Sequence, residues 1–373
     1  MKMMYFQFAR MPTELAHGVQ IAHMCQAFAQ AGLEVELVLP RRKNAIQTDI
    51  FEYYGVERTF SVTYLPVLDL VGRTRWGYYL ADLSFLLAVK WYAWRKQIDV
   101  FYTRDILAGW LFSGHVLELH ALPTRTGKLA AWLWKRASAW VVKTAYIRQT
   151  LIDAGVAGER VYVAKNGVDL EAFAGLPSKQ AARIALGLPI AKSLVMYVGS
   201  FFVHAWKGVD VLLEAKSALP HDVQVVLVGG TPADVERVRS QHAKEEVLAV
   251  SHVPNKEVPL WLHAADVLVL PNKKGYEESE RCTSPLKLFE YLASGVPVVA
   301  SDLPSIREIV SEAEVCFVEP NDPRALAAGI QGLLENEDAS RRQVAAAQRL
   351  VHAYSWDAQA RGILEHMRSL RLL

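Results

Sequence analysis

The run Ser284-Pro285-Leu286-Lys287, with Glu290 three residues further on, puts a hydroxyl, a proline, a cation and a carboxylate into one short segment. Ser is a favoured N-cap and Pro a favoured first helical residue, so a helix is expected to begin here. The N–H groups of Leu286 and Lys287 would then point out of the helix start, where they and the helix dipole attract phosphate. Glu290 lies four residues past Leu286, on the same side of that helix. A carboxylate one turn below a bound diphosphate can accept hydrogen bonds from both hydroxyls of a ribose, which makes the segment a candidate nucleoside diphosphate site. The same residues also suit an ordinary capped helix with an exposed Glu.

Groups of this kind need a rigid frame, and the hydrophobic pattern describes one. Short apolar runs alternate with helical periodicity: strands are expected at 3–9, 34–40, 99–103, 115–120, 139–143 and 161–164, with a helix over 16–32. The pattern then restarts, with strands at 194–200, 223–230, 247–253, 266–271 and 297–301 and helices at 208–219, 234–245, 256–265 and 285–294. Alternation of this sort builds parallel sheets covered by helices. The expected fold is therefore α/β, with two Rossmann-like domains facing across a central cleft. Their expected extents are 1–168 and 193–353, joined by a Gly- and Pro-punctuated linker at 169–192, with a last helical segment at 354–373. Ligands of open parallel sheets sit beyond the carboxyl ends of the strands. That rule draws attention to Arg104, after the strand at 99–103, and to His120, which ends another. Glu118 should share a sheet face with His120 and, if buried, pair with Arg104. Gly18, near a helix start, would let phosphate or sugar approach the backbone.

Composition limits the partners. Residues 1–170 carry 20 Lys and Arg against 14 Asp and Glu, and the remainder 21 against 25. This mild and scattered asymmetry suits phosphate or an anionic membrane surface and argues against nucleic acid. Cys25, Cys282 and Cys316 stand apart without metal-ligand spacing, so neither a disulfide framework nor a zinc site is expected, and a reducing cytoplasm fits. The N-terminus lacks the apolar core of a signal peptide, and the apolar stretch at 83–89 is too short to span a bilayer. The segments 89–96 and 130–140 interleave Trp with Lys and Arg, a composition suited to a membrane interface and equally to a core with a solvated basic flank.

The stretch 282–310 resembles the donor-binding motif of glycosyltransferase family 4, retaining enzymes of the GT-B fold. That motif has the form E-x7-E followed by A-x-G-x-P-V-V-A-S; Glu290 falls on its second Glu and 293–301 on its tail. The first Glu, which contacts the donor sugar, falls on Cys282, and a thiol is a poor acceptor; Glu277, Glu278 and Glu280 either substitute for it or form a solvated loop. Residues 197–215 resemble the family's G-[RS]-x(n)-K-G motif, which implies that Lys207 neutralises the diphosphate and that Ser200 stands in place of an Arg. Residues 253–272 resemble the base-recognising segment, with the backbone of Val253 or Pro254 toward the nucleobase. Residues 166–173 resemble the hinge, 10–25 the opening loop that includes His17 and Gly18, and 354–373 the helix that crosses back to the first domain. His120 stands where a strand-terminal His of relatives borders the sugar site, and Tyr102-Thr103-Arg104-Asp105 takes the place of a His that ends the preceding strand in many relatives.

The resemblance implies a nucleoside-diphosphate sugar as donor, a hydroxyl acceptor on a glycan or lipid-linked saccharide, front-face attack and retained configuration. No D-x-D occurs and no enzymic nucleophile is evident, so no metal or other cofactor is expected. The expected donor-binding set is Gly18, Ser200, Lys207, Val253, Pro254, Cys282, Ser284, Pro285, Leu286, Lys287 and Glu290; the expected catalytic set is His120 and Arg104. A cytoplasmic protein, peripheral on the inner membrane face, fits such acceptors. Two rival readings remain at this level: a UDP-sugar 2-epimerase of the same fold, and a non-catalytic nucleotide-sugar-binding scaffold, which the missing first Glu favours.

Overall fold

The computed structural model of the protein describes residues 1–122, 132–133, 135–242 and 247–373. Contacts divide the chain into two units, Met1–Lys165 with Trp356–Leu373, and Asn166–Ser355.

The first unit is built on seven parallel strands: β1 (Lys2–Phe6), β2 (Glu34–Pro40), β3 (Ser61–Leu65), β4 (Val100–Thr103), β5 (Val116–Leu119), β6 (Ala139–Val142) and β7 (Val161–Val163). Their order is β3-β2-β1-β4-β5-β6-β7. Strands covered on both faces read as continuous apolar runs, and Met3–Phe6 are fully buried. Its helices among the described residues include α1 (Ala16–Gln30), α2 (Ile50–Tyr54), α3 (Gly77–Trp94) and α4 (Ala145–Asp153). Helix α2 begins where Asp49 accepts from the Phe51 N–H and stops at Gly55, whose φ of 69° suits glycine. Helix α3 packs Ala81, Phe85, Leu86, Val89 and Ala93 into the core beside Met4, Phe6 and Val38. The C-terminal helix, Trp356–Ser369, belongs to this unit. Trp356 stacks on His23 of α1, and His366 stacks on Tyr162 of β7.

The second unit has six parallel strands: β8 (Ser193–Val198), β9 (Val223–Gly230), β10 (Leu248–Ser251), β11 (Val267–Leu270), β12 (Val298–Ser301) and β13 (Cys316–Val318), in the order β10-β9-β8-β11-β12-β13. Among the described residues eight α-helices accompany them: α5 (Lys179–Ala185), α6 (Val209–Ala215), α7 (Pro232–Gln241), α8 (Val258–His263), α9 (Leu286–Ala293), α10 (Pro304–Arg307), α11 (Pro323–Glu335) and α12 (Glu337–Val351). Local chemistry explains several starts. Thr231 and Asp234 form a reciprocal capping box before α7, and Asp322 accepts from the Arg324 and Ala325 N–H groups before α11. The residues expected as linker are part of this unit: α5 buries Ala182 in its core, and Lys179 and Arg183 both pair with Asp266. Strands β3 and β13 are edge strands that the apolar-run pattern does not reveal; β13 is only three residues long, and in β3 only Leu65 is buried.

Candidate functional site

In each sheet the strand order reverses beside one strand, β1 in the first unit and β8 in the second. Crevices for ligands form at the carboxyl ends there.

In the second unit, β8 runs into Gly199 and Ser200, and α9 leans against that strand end. The Tyr291 hydroxyl of α9 accepts from the Val198 N–H at 2.9 Å and lies 3.3 Å from the Val198 carbonyl, which locks the helix to the strand. Gly199 has a φ of 141°, and a Cβ there would stand 3.0 Å from the Lys287 side chain. Gly208 lets Lys207 approach the same strand end: its φ is 70°, and a Cβ would fall 1.8 Å from the Pro271 carbonyl oxygen. Lys207 donates to the Ser200 hydroxyl and Lys287 to the Tyr197 hydroxyl. Among the described residues no carboxylate lies within ion-pair distance of either amine. Burial depresses the Lys207 amine, with Glu278 opposing, and it depresses the Lys287 amine strongly, with Lys207 adding to the effect. Burial pushes the Glu290 carboxyl up to about 7, and Lys287 holds it from rising further. Two cations and an uncapped helix start thus share one partly dry corner, with a carboxylate one turn along.

The start of α9 differs from the expectation. Pro285 occupies the N-cap position, and no side chain caps the helix. Ser284 is turned away: its hydroxyl accepts from the Asn166 N–H at 3.1 Å, and its carbonyl accepts from the Asn166 side-chain amide. Ser284 therefore fixes the Asn166-Gly167 turn, and the N–H groups of Leu286 and Lys287 are left without a side-chain acceptor. Cys282 is buried at the end of a π-helical turn, Glu278–Cys282. Of the three nearby acids, Glu280 accepts from the Gly275 N–H, while Glu277 and Glu278 are exposed. Val253, half-buried, and Pro254, exposed, follow β10 on the carboxyl side of the sheet.

In the first unit, Arg104 follows β4 and His120 follows β5, and both join a buried network that sequence reasoning saw only in part. Glu118 is buried, and its ion partner is Lys143, at 2.7 Å, and not Arg104. The register pairs Glu118 with Val141, which brings Lys143, two residues on, to the same strand-end layer as His120. Lys143 closes an expected strand, but nothing local in the sequence pairs it with Glu118. His120 Nε2 lies 2.6 Å from Glu118 Oε1, Tyr102 donates to Oε2 at 2.8 Å, and Gln20 donates to Oε1 at 2.9 Å. Arg104 reaches this cluster through the Gln20 carbonyl oxygen at 3.1 Å. Burial alone would raise the Glu118 carboxyl, but Lys143, His120 and Arg104 hold it well below the usual range. Burial, Arg104 and Lys143 push His120 down to about 3, so its imidazole is neutral at neutral pH. A neutral ring that donates from Nε2 to Glu118 keeps Nδ1 as an acceptor.

Beside this network, at the end of β1, a cavity of about 420 Å³ is lined by Gln7, Arg10, His17, Arg42 and Arg104 among others. Burial and Arg104 lower His17 to about 4. Gly18 does not open toward a ligand. A Cβ there would meet the Tyr54 hydroxyl at 2.0 Å, and that hydroxyl accepts from the Thr13 N–H at 2.8 Å. Packing of α2 on α1 demands this glycine.

Solved structures share this fold along the whole chain. Sucrose-phosphate synthase from Thermosynechococcus elongatus aligns with a TM-score of 0.77 at 20% identity, covering 99% of both chains. Anabaena Alr3699/HepE, solved in complex with UDP-glucose, aligns with a TM-score of 0.75 at 19% identity, covering 99% of both. Two parallel-sheet Rossmann-like units of this kind define the GT-B fold. Family models narrow the class: Glycosyltransferase Family 4 matches residues 17–172, and Glycosyl transferases group 1 matches residues 192–336. The chain belongs to glycosyltransferase family 4. Among curated relatives, a D-inositol 3-phosphate glycosyltransferase of Xylanimonas cellulosilytica is 31% identical over 220 residues, 56% of this chain and 51% of the relative. A phosphatidyl-myo-inositol mannosyltransferase of Mycobacterium tuberculosis is 32% identical over 207 residues, 53% of this chain and 51% of the relative. The chain thus spans about half the length of these curated relatives in the matched regions.

Proposed function

We propose that the protein is a retaining, metal-independent glycosyltransferase that moves a sugar from a nucleoside-diphosphate sugar to a hydroxyl of a glycan or lipid-linked acceptor. The observation that carries this reading is the pair Lys207 and Lys287, without carboxylate partners among the described residues, at the uncapped start of α9. Glycosyl transfer passes through an oxocarbenium-like state while the leaving diphosphate gathers charge. Fixed cations and helix N–H groups stabilise that charge where it develops, the task a metal ion performs in other transferases. Glu290 accepts from the ribose hydroxyls, and the acceptor hydroxyl attacks from the face the diphosphate leaves, with the diphosphate oxygen as base. The UDP and UDP-glucose complexes of Anabaena Alr3699/HepE support a nucleotide-sugar donor. The relatives that act on inositol 3-phosphate and phosphatidyl-myo-inositol support an acceptor that carries phosphate. The cavity bearing Arg10, Arg42 and Arg104 suits such an anion, and a lipid-linked acceptor entails contact with a membrane surface.

The test is incubation with a panel of nucleotide sugars in EDTA, with and without candidate acceptors. Release of nucleoside diphosphate that depends on acceptor and persists in EDTA is expected. Conversion of the sugar without acceptor would favour a 2-epimerase. Binding without turnover toward any acceptor would favour the scaffold reading, which the burial of Cys282 in place of a sugar-contacting Glu keeps in play.

A further inference from the structure

Helix α3 has two faces that are both apolar. One face, Ala81, Phe85, Leu86, Val89 and Ala93, is in the core. The opposite face presents Leu80, Leu83, Leu87, Trp91 and Trp94 to solvent, and Trp94 is 81% exposed. Trp76 and Tyr79 extend this row at the start of the helix, and both are exposed. The spacing from Trp76 to Trp94 follows successive turns, so these side chains form one stripe about 27 Å long for an 18-residue helix. An apolar surface of this extent is not an ordinary feature of a protein exterior.

The charge around the stripe indicates its partner. Arg73, Arg75, Lys90 and Arg95 are exposed along it, and the Arg75 and Arg95 guanidinium groups lie over the Trp76 and Trp91 rings at 5.9 and 4.4 Å. The single acid in 70–96 is Asp82, which is buried on the core side. Burial and the facing Asp105 push its carboxyl up to about 10, so it carries no negative charge at neutral pH. Tryptophan and tyrosine with leucine below and arginine or lysine alongside is the composition of a helix lying in a bilayer interface, where the rings and aliphatic groups sink among the acyl chains and the cations meet anionic headgroups. Spanning is ruled out for this helix because its other face is spent on the protein core, and no described helix is long and apolar enough to cross a membrane. The expected membrane segment at 89–96 is thus the end of a longer surface: Trp91 and Trp94 point outward, while Val89 and Ala93 are buried. Of the other expected segment, Trp132 is exposed and Trp140 buried, and Ala130, Ala131 and Trp134 lie outside the described residues.

We propose that the exposed stripe of α3, from Trp76 to Trp94, docks flat on an anionic lipid surface through its aromatic and leucine side chains with Arg73, Arg75, Lys90 and Arg95 on the headgroups. The assignment stands independently of the transferase reading.

The test is co-sedimentation of the full chain with phosphatidylcholine vesicles that contain or lack phosphatidylglycerol, at low and high salt. The protein is expected to sediment with the phosphatidylglycerol vesicles, with a blue shift of its tryptophan emission, and to be released in part by salt. Leu83→Glu with Leu87→Glu should weaken binding by about tenfold or more, and exchange of Arg75, Lys90 and Arg95 for Gln should remove the preference for phosphatidylglycerol. Both variants alter exposed positions, and an unchanged thermal transition shows that they fold. Absence of binding to phosphatidylglycerol vesicles, or binding unaffected by the Leu83 and Leu87 changes, would overturn the proposal. So would a concentration-dependent dimer that those two changes dissociate without any vesicle binding, which would make the stripe a contact between copies.

Discussion

At the ends of β5 and β6 the first unit buries Glu118 against Lys143, His120, Gln20 and Tyr102, whereas at the end of β8 the second unit gives Lys207 and Lys287, among the described residues, hydroxyl partners and no carboxylate. Both constellations sit at carboxyl ends of parallel strands in sheets whose strand order reverses beside a central strand. The first is closed around Glu118: the buried carboxylate has Lys143 as its counter-charge and His120, Gln20 and Tyr102 as hydrogen-bond partners, while Arg104 joins through Gln20. The second is open, with cations crowded by burial and a helix start without a cap. Low local dielectric makes a satisfied network rigid and an unsatisfied one costly. On the function proposed above, an anion from outside offsets that cost in the second unit.

This contrast can be broken from either side. The largest effect on stability is expected from Lys143→Met, which leaves Glu118 buried without its cation and should cost about 3–5 kcal/mol in denaturant unfolding. Lys287→Met, in contrast, should leave the unliganded protein as stable or more so. It should still lower turnover of the nucleotide sugar by about 10²–10³-fold, because a donor to the developing diphosphate charge is lost. Equal destabilisation by both changes would erase the distinction between the two sites. A smaller effect is expected from Gly18→Ala, where the new methyl collides with Tyr54; a loss of about 1–3 kcal/mol with unchanged nucleotide affinity would separate packing from ligand binding at that position.

The pH dependence sharpens the picture further. The Glu290 carboxyl, pushed up to about 7 by burial, must on the proposed reading be ionised to accept from two ribose hydroxyls. Binding therefore lowers its pKa and releases a proton below about 7, so affinity for a nucleotide sugar should climb as pH rises to about 7 and then level. Calorimetry in buffers of different ionisation enthalpy reads the proton directly. Glu290→Gln should abolish both the release and the slope. The same raised pKa means that the empty protein loses stability as pH rises from 4.5 toward 7, and the Gln variant should lack that loss.

Much of this was legible in the sequence, and the reasons differ by region. The alternation of apolar runs with helical periodicity shows the two sheets because buried parallel strands such as β1, β8 and β9 are apolar on both faces. Edge strands β3 and β13 lack that signature. Lys287 and Glu290 are visible because a proline and a helix start accompany them, and Lys207 through the resemblance of 197–215 to the family's Lys-Gly motif. Lys143 is not: its partner lies 25 residues away on a neighbouring strand, and only the register of β5 with β6 brings the two together. The turn of Ser284 toward Asn166 joins segments 118 residues apart and has no local trace. The outer face of α3 is hidden because a helix apolar on both sides has no polar face to mark its orientation.

The most direct test of the central claim pairs a variant with a ligand change. Calorimetry should compare a nucleoside diphosphate that stabilises the protein with its 2′,3′-dideoxy analogue, on the natural protein and on Glu290→Ala. The natural protein should bind the dideoxy ligand about tenfold more weakly, as for loss of hydrogen bonds to a charged group, while Glu290→Ala should bind both ligands equally. If Glu290→Ala discriminates between the two ligands as strongly as the natural protein does, Glu290 does not hold the ribose, and the account of the α9 site is wrong.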